Sequence, residues 1–139
     1  MIPKLRVWNK KLKFINTVAV IDFKNKTIEY NQVFLGEVWR VPFDEVILMP
    51  STGLTDIGEN EVFAGDIVNI HWFYRGDGEE CEAELNNVVI YYDSTDEFNA
   101  PYFFVMDKDE VVPLSAILMH EGSIEVLGNI HEHSELLVN

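Results

Sequence analysis

Two histidines near the end of the chain have the spacing of a possible metal site. His131 and His133 are separated by one residue, so on a β-strand they would share a face. Together with Glu132 and the more distant His120 they offer the imidazole and carboxylate groups that bind zinc. The hypothesis therefore depends on whether these histidines lie on a strand.

Two acidic rows raise the possibility of paired-carboxylate hydrolysis. The residues concerned are Glu79, Glu80, Glu82 and Glu84 in the first row, and Asp107, Asp109 and Glu110 in the second. Glutamates that alternate with apolar residues are more typical of the solvent-facing side of a strand, where like charges discourage edge-to-edge pairing. The sequence contains no Gly-x-Ser-x-Gly motif and no phosphate-binding glycine loop. We expect no catalytic residues and no enzyme activity.

The composition indicates a folded protein of the cytoplasm. Of the 139 residues, 47% are hydrophobic and 12% aromatic, which is too rich for a disordered chain. No apolar run approaches the roughly 20 residues of a membrane helix, and the first residues carry charges where a signal peptide needs an apolar stretch. Cys81 is the one cysteine, so neither an intrachain disulfide nor a site of several thiolates is expected.

Charge is distributed unevenly along the chain. Residues 1–40 hold eight Lys and Arg against three acids, a net of +5, and the remainder holds two against twenty-one, a net of −19. The acidic part disfavours binding to nucleic acid, whose phosphates it repels. The basic segment surrounds Trp8, which could stack on a base; the residues are Lys4, Arg6, Lys10, Lys11 and Lys13. Alternatively, and this is the interpretation we favour, the segment complements the acidic body of the same or a neighbouring copy.

Alternating apolar residues and turn signals predict a mostly β protein. One hairpin is predicted from Val18–Phe23 to Thr27–Tyr30, and a second turns at Asp77-Gly78. Residues 50–60 have the composition of a long loop whose glycines permit positive φ. Leu114–Glu121 is predicted to be a helix, with a short helical turn at Glu135–Val138. Seven or so short strands with one or two short helices favour a small barrel or roll. We expect an N-terminal β-ribbon, residues 1–42, packed as one globular unit with a barrel domain, residues 43–139.

Three stretches of the sequence resemble the YopX family of phage and prophage proteins. They are LRVWNKKLK near the start, VILMPSTGLTDIGENEVFAGDIV in the middle and IEVLGNIHEHSELL at the end. The resemblance implies an SH3-like small β-barrel and a place in the cytoplasm of a bacterial host, and it supplies no activity. In the closing motif of the family that this chain resembles, Tyr and Asn stand at the positions of His131 and His133. We therefore expect neither a metal nor a cofactor.

Strands that are apolar on both faces predict self-association. One face can fill the barrel, but the other would leave an apolar patch in water, and such patches usually mark an interface. The candidate interface residues are Trp8, Val89, Tyr91, Phe103 and Val105. The sequence thus predicts a homo-oligomeric accessory protein that acts as an interaction module on an unknown phage or host protein. The alternative is a nucleic-acid-related protein, either binding DNA through the basic segment or mimicking DNA with its acidic rows to occupy a host protein.

Overall fold

The computed structural model describes residues 5–32, 37–93, 102–118 and 122–137. Most of these residues lie in antiparallel strands, and the single α-helix among them, α1, spans only Leu114–Leu118. The prediction of a mostly β protein with few, short helices is confirmed. Two 3-10 turns, Phe43–Glu45 and Ser134–Leu137, are the other helical elements of the described residues.

The chain forms two compact units, residues 1–53 and 54–139. In the first unit, β1 pairs with both β2 and β6, and β4 pairs with both β3 and β5. The strands are β1 (Leu5–Asn9), β2 (Phe14–Thr17), β3 (Val20–Asp22), β4 (Thr27–Gln32), β5 (Glu37–Pro42) and β6 (Val46–Thr55). The sequence placed the end of the N-terminal ribbon at residue 42, whereas the first compact unit extends through Gly53. The division into domains 1–42 and 43–139 stays a prediction.

The first unit has its own hydrophobic core. Val7 of β1 and Ile28 and Tyr30 of β4 are fully buried, and Val41 and Val46 complete the cluster. Phe14 packs edge to face on Tyr30, with 6.3 Å between ring centroids. Because β1 contributes Val7 to this core, the N-terminal hairpin is an integral part of the unit.

The second unit is built on the long strand β8, which pairs with β9 on one side and β13 on the other. Register shifts interrupt both pairings, and such bulges increase the local twist and curl the sheet. A second sheet has the order β10-β11-β12. The strands are β7 (Glu61–Phe63), β8 (Asp66–Gly76), β9 (Glu79–Val89), β10 (Tyr91–Asp93), β11 (Tyr102–Asp107), β12 (Glu110–Pro113) and β13 (Ser123–Asn129).

A larger core lies inside the second unit. It joins the inward faces of both sheets to α1, which contributes Leu114 and Ile117. The remaining buried members are Val62, Val68, Ile70, Ile90, Val105 and Ile124. The helix begins directly after Pro113, the last residue of β12.

Both predicted hairpins are confirmed, but the predicted loop over residues 50–60 is partly wrong. The strand β6 runs on through Thr55: its residues up to Pro50 pair with β1, and β7 is its neighbour on the other side of the sheet. Only the turn that follows, from Asp56 to Asn60, is irregular. Of the two glycines in this run, Gly53 has the predicted positive φ, at +80°, and Gly58 does not. The composition of this run therefore predicted the backbone angle of Gly53 correctly, but it did not predict that residues 50–55 would continue a strand.

None of the helices in the described residues has the length and hydrophobicity required to cross a membrane.

Candidate interaction surfaces

Asn9 and Asn129 are buried amides that organise the turns after their strands. The Oδ1 atom of Asn9 accepts hydrogen bonds from the backbone N–H groups of Lys11, at 3.0 Å, and Leu12, at 2.9 Å. Its Nδ2 donates to the hydroxyl of Tyr30 at 3.1 Å. Such side-chain bonds replace the backbone partners that a turn lacks. The side chain of Asn9 therefore has a structural role, because its amide groups already have hydrogen-bond partners in the fold.

Asn129 has the same role at the end of β13. Its Oδ1 accepts from the N–H groups of His131 and Glu132, at 3.0 and 2.9 Å, and its Nδ2 donates to the Glu132 carboxylate at 2.9 Å. The backbone N–H of Asn129 donates to Nδ1 of His133 at 3.1 Å. This network leaves His133 acting as a hydrogen-bond acceptor within its own turn.

The histidines do not have the strand geometry on which the metal hypothesis depended. His131 and His133 both lie beyond β13, whose last residue is Asn129, so alternation along a strand does not place them on one face. His120 lies outside the described residues. No group of three or more His, Cys, Asp or Glu residues in the described ranges is arranged to hold a metal ion.

Asp56 and Asp66 are buried carboxylates with backbone partners. Asp56 accepts from the N–H groups of Gly58, Asn60 and Val126 at 2.8 to 2.9 Å. Burial raises the pKa of Asp56, but these bonds, with that of Val126 the strongest, outweigh it and hold the pKa below its ordinary value. Asp66 accepts from the N–H of Phe63 at 2.8 Å, across the turn between β7 and β8.

The first acidic row lies on the exposed side of β9. Glu80, Glu82 and Glu84 are all exposed, and Glu82 is 3.3 Å from Nε2 of His71 on β8. An adjacent cleft of about 190 Å³ is lined in part by His71 and Glu84. That volume is below the 300–1,000 Å³ typical of ligand pockets. The row is solvent-facing, as its alternation predicted.

The second acidic row lies at the β11–β12 turn. Asp107 pairs with Glu110 across the turn, and Lys108 and Asp109 form its tip. Lys108 has a φ of +56°, which the tight two-residue connection requires. The turn therefore carries three carboxylates and one ammonium group on exposed or half-buried residues.

The basic segment is a structured hairpin. Trp8 is half-buried on β1, opposite Ile15 of β2 and Ile47 of β6, and Lys10, Lys11 and Lys13 are exposed in the turn that Asn9 organises. Lys13 has a φ of +59°. Lys4 lies outside the described residues.

The structure places the remaining candidate interface residues on opposite sides of their strands. Val105 is fully buried, Val89 is 8% exposed, and Phe103 packs against the core of the second unit. Tyr91, by contrast, is 45% exposed. On β11 the side that carries Tyr102 is thus the exposed one, whereas Phe103 and Val105 of the predicted set lie on the other side.

An exposed aromatic face results, and we define it by Tyr91, Tyr102, Phe104, Met106 and Val111. Tyr91 stacks on Phe104 with 5.5 Å between centroids, and Tyr102 lies 5.4 Å from Phe104. The strand registers pair Tyr91 with Phe104 and Met106 with Val111, so these side chains share one side of the sheet. Tyr102 is 41% and Val111 50% exposed. The tyrosines could have indicated this exposed side in the sequence, since the hydroxyl of a tyrosine stays solvated while its ring packs against neighbours.

Comparison with known proteins assigns the family. The family model described as YopX protein matches residues 4–138, nearly the whole chain. The chain belongs to the YopX family. Among solved structures, this YopX chain is similar to the crystal structure of protein EF1440 from Enterococcus faecalis, with 26% sequence identity, a TM-score of 0.56 and 99% of each chain covered. None of the curated proteins matches.

The motifs by which this YopX chain resembles its family contain the turn-organising residues just described. Asn9 lies in the opening stretch, Asp56 and Asp66 in the central one and Asn129 in the closing one. These four are the buried polar residues of the described ranges, and backbone N–H groups occupy a side-chain oxygen of each. The polar residues of the YopX motifs in this chain thus specify the fold.

Proposed function

We propose that this YopX protein is a non-catalytic interaction module that self-associates through the aromatic face of its second unit. The observation that carries the proposal is the cluster in which the exposed Tyr91 and Tyr102 pack on the half-buried Phe104. Aromatic residues and Met are enriched at the centres of protein interfaces, where charged residues are depleted. The five residues of the face include no charged side chain, although the unit around them is strongly acidic.

The charge of the two units supports association between copies. Residues 1–53 carry eight basic and five acidic residues, a formal net of +3, and residues 54–139 carry two basic and nineteen acidic residues, a net of −17. A contact between the first unit of one copy and the second unit of another brings opposite charges together. Added salt should weaken such a contact.

The proposal also covers the type of barrel, the biological role and a further partner. An SH3-like barrel, an accessory role in a phage or prophage and a phage or host protein as further partner follow from the YopX resemblance. The commitment of Asn9, Asp56 and Asn129 to turns supports the non-catalytic assignment, because these buried polar groups already have partners.

Light scattering on the purified protein tests self-association. At tens of micromolar we expect a mass that is a multiple of 16.0 kDa. Tyr102→Ser should reduce it towards the monomer. The control is Tyr74→Ser on β8, because Tyr74 is 42% exposed and Tyr102 41%, so the two changes remove similar exposed phenols. A wild-type mass of 16 kDa throughout this range would refute the proposal.

The alternative of DNA mimicry draws its support from the exposed row of Glu80, Glu82 and Glu84. Side chains two apart on a strand are spaced roughly 6.8 Å, giving a regular line of negative charge. Pull-down from a bacterial lysate would favour mimicry if the triple Gln variant of this row lost a captured DNA-binding protein while keeping its oligomeric mass. Direct binding of duplex DNA is not expected at physiological salt, and a salt-resistant gel shift would contradict that.

A further inference from the structure

A second exposed apolar feature lies on the first unit, and its neighbouring charges are opposite in sign to those beside the aromatic face. Phe23 is 76% exposed, the highest value among the large hydrophobic residues of the described ranges. It lies at the start of the β3–β4 turn, where its ring contacts Phe43 edge to face at a centroid distance of 6.1 Å. Lys24 and Lys26, both exposed, follow it in the turn, and the half-buried Asp22 precedes it. Phe23 is thus an exposed aromatic side chain on a turn whose formal charge, from Asp22, Lys24 and Lys26, is +1.

The turn that carries Phe23 is held in one conformation. The Oδ1 atom of Asp22 accepts from the backbone N–H of Asn25 at 3.1 Å, and Oδ2 accepts from Asn25 Nδ2 at 2.8 Å. These bonds from Asn25 hold the pKa of Asp22 below its ordinary value. Lys26 completes the turn with a φ of +55°. Because the loop is already ordered, docking it would lose less conformational entropy than docking a flexible segment.

The aromatic face has the complementary surround. Its β11–β12 end is bordered by the turn that carries Asp107, Asp109 and Glu110, with Lys108 as the one base. The formal charge of that turn is −2. An apolar centre with an acidic edge fits an apolar side chain with basic neighbours, and the electrostatic match would set both orientation and rate of docking.

We propose that the Phe23 turn of one copy docks on the aromatic face of a second copy, with Lys24 and Lys26 directed towards Asp109 and Glu110. This inference rests on the proposed function and names the two surfaces that meet. A face-to-face pairing would instead bring together two units of net −17. Since the two surfaces differ, the contact is heterologous, and repeated contacts either close into a ring or extend into a chain of copies.

Two single variants and their mixture test the docking. Phe23→Asp removes the docking side chain, and Tyr102→Asp disables the face; both positions are exposed, so both variants should fold. Each variant alone should be monomeric. A mixture should form a complex of about 32 kDa, twice the chain mass of 16.0 kDa, because only one productive contact remains. Truncating Phe23 to Ala should weaken association by about thirtyfold or more, as expected for an interface hot spot.

Charge exchange provides the second test. Lys24→Glu with Lys26→Glu should weaken association, and adding Asp109→Lys with Glu110→Lys should restore it. The control is Lys10→Glu with Lys11→Glu, which makes the same change in charge on another exposed turn of the first unit and should have a much smaller effect.

The outcomes separate this inference from the proposed function. If Phe23→Asp associates as the wild type does while Tyr102→Asp does not, the face binds something other than the Phe23 turn and the docking is wrong. If the mixture stays monomeric, it is also wrong. A wild type that is monomeric at tens of micromolar removes the proposed function, and this inference with it.

Discussion

The carboxylate of Asp56 offers the most direct test of how the fold is held together. It accepts three backbone hydrogen bonds, from Gly58, Asn60 and Val126, and the residue is only 8% exposed. Two of these bonds close its own turn, and the third ties that turn to β13, seventy positions further along the chain. Replacing Asp56 with Ala would remove a local and a long-range contact together.

The expected loss is large for a single substitution. A hydrogen bond to a charged group contributes roughly 1.5–3 kcal/mol. Gly58 and Asn60 are exposed, so water can reach their N–H groups, whereas Val126 is half-buried and is less easily rehydrated. We therefore expect Asp56→Ala to lower the free energy of unfolding by roughly 3–5 kcal/mol, which is less than the summed contribution of three fully buried hydrogen bonds. Asp56→Asn keeps one accepting oxygen and should cost roughly 1.5–3 kcal/mol.

The contribution of Asp56 should also depend on pH. Its pKa in the folded protein lies below the ordinary value of 3.8, so its stabilising effect is complete above that value and is lost as the pH falls through the folded pKa. The amide of the Asp56→Asn variant does not ionise in this pH range. The difference in stability between wild type and Asp56→Asn should therefore narrow as the pH is lowered from neutrality to below 3.8.

Urea denaturation followed by circular dichroism measures these differences, with hydrogen exchange at the Val126 amide as the local readout. The control is Glu125→Gln, an exposed substitution beside Val126 that removes the same charge from the same unit. The reasoning is refuted if Asp56→Ala is as stable as Glu125→Gln, or if the Val126 amide stays equally protected in both.

Three further substitutions test other features of the fold by urea denaturation. Gly53→Val should cost about 1–3 kcal/mol through backbone strain alone, since φ is +80° and no atom lies within 4 Å of an added Cβ; Gly53→Asn should cost less, and equal costs would contradict the strain argument. Gly128→Ala would place its Cβ 2.6 Å from the ring of His133, so we expect the free energy of unfolding to fall by about 1–3 kcal/mol. The NMR signal of the His133 imidazole should also shift, and an unchanged signal would count against the contact. Tyr30→Phe removes the hydroxyl that accepts from Asn9 and should cost about 1–3 kcal/mol, whereas a neutral result would mean that water replaces it.

Turn chemistry was the part of the fold that could be predicted most closely. The Asp77-Gly78 pair has φ values of +53° and +81°, as a tight hairpin turn requires, and it joins β8 to β9 as predicted. These features depend on a few adjacent residues. The prediction of a loop over residues 50–60 failed because strand pairing overrides composition there: Pro50 pairs with β1, and β7 lies on the other side of β6 in the sheet.

The candidate interaction surfaces show the same division between features of adjacent residues and features that depend on tertiary packing. The sequence by itself determined that the strands are apolar on both sides, that His131 and His133 are close in sequence and that the acidic rows alternate, because these are properties of neighbouring residues. Only the tertiary structure decided that Val105 points into the core while Tyr102 points out, since alternation leaves the choice of side open and packing against α1 and β8 makes it. It also decided that Phe23 is exposed, because the exposure of a turn residue depends on what the rest of the chain leaves uncovered.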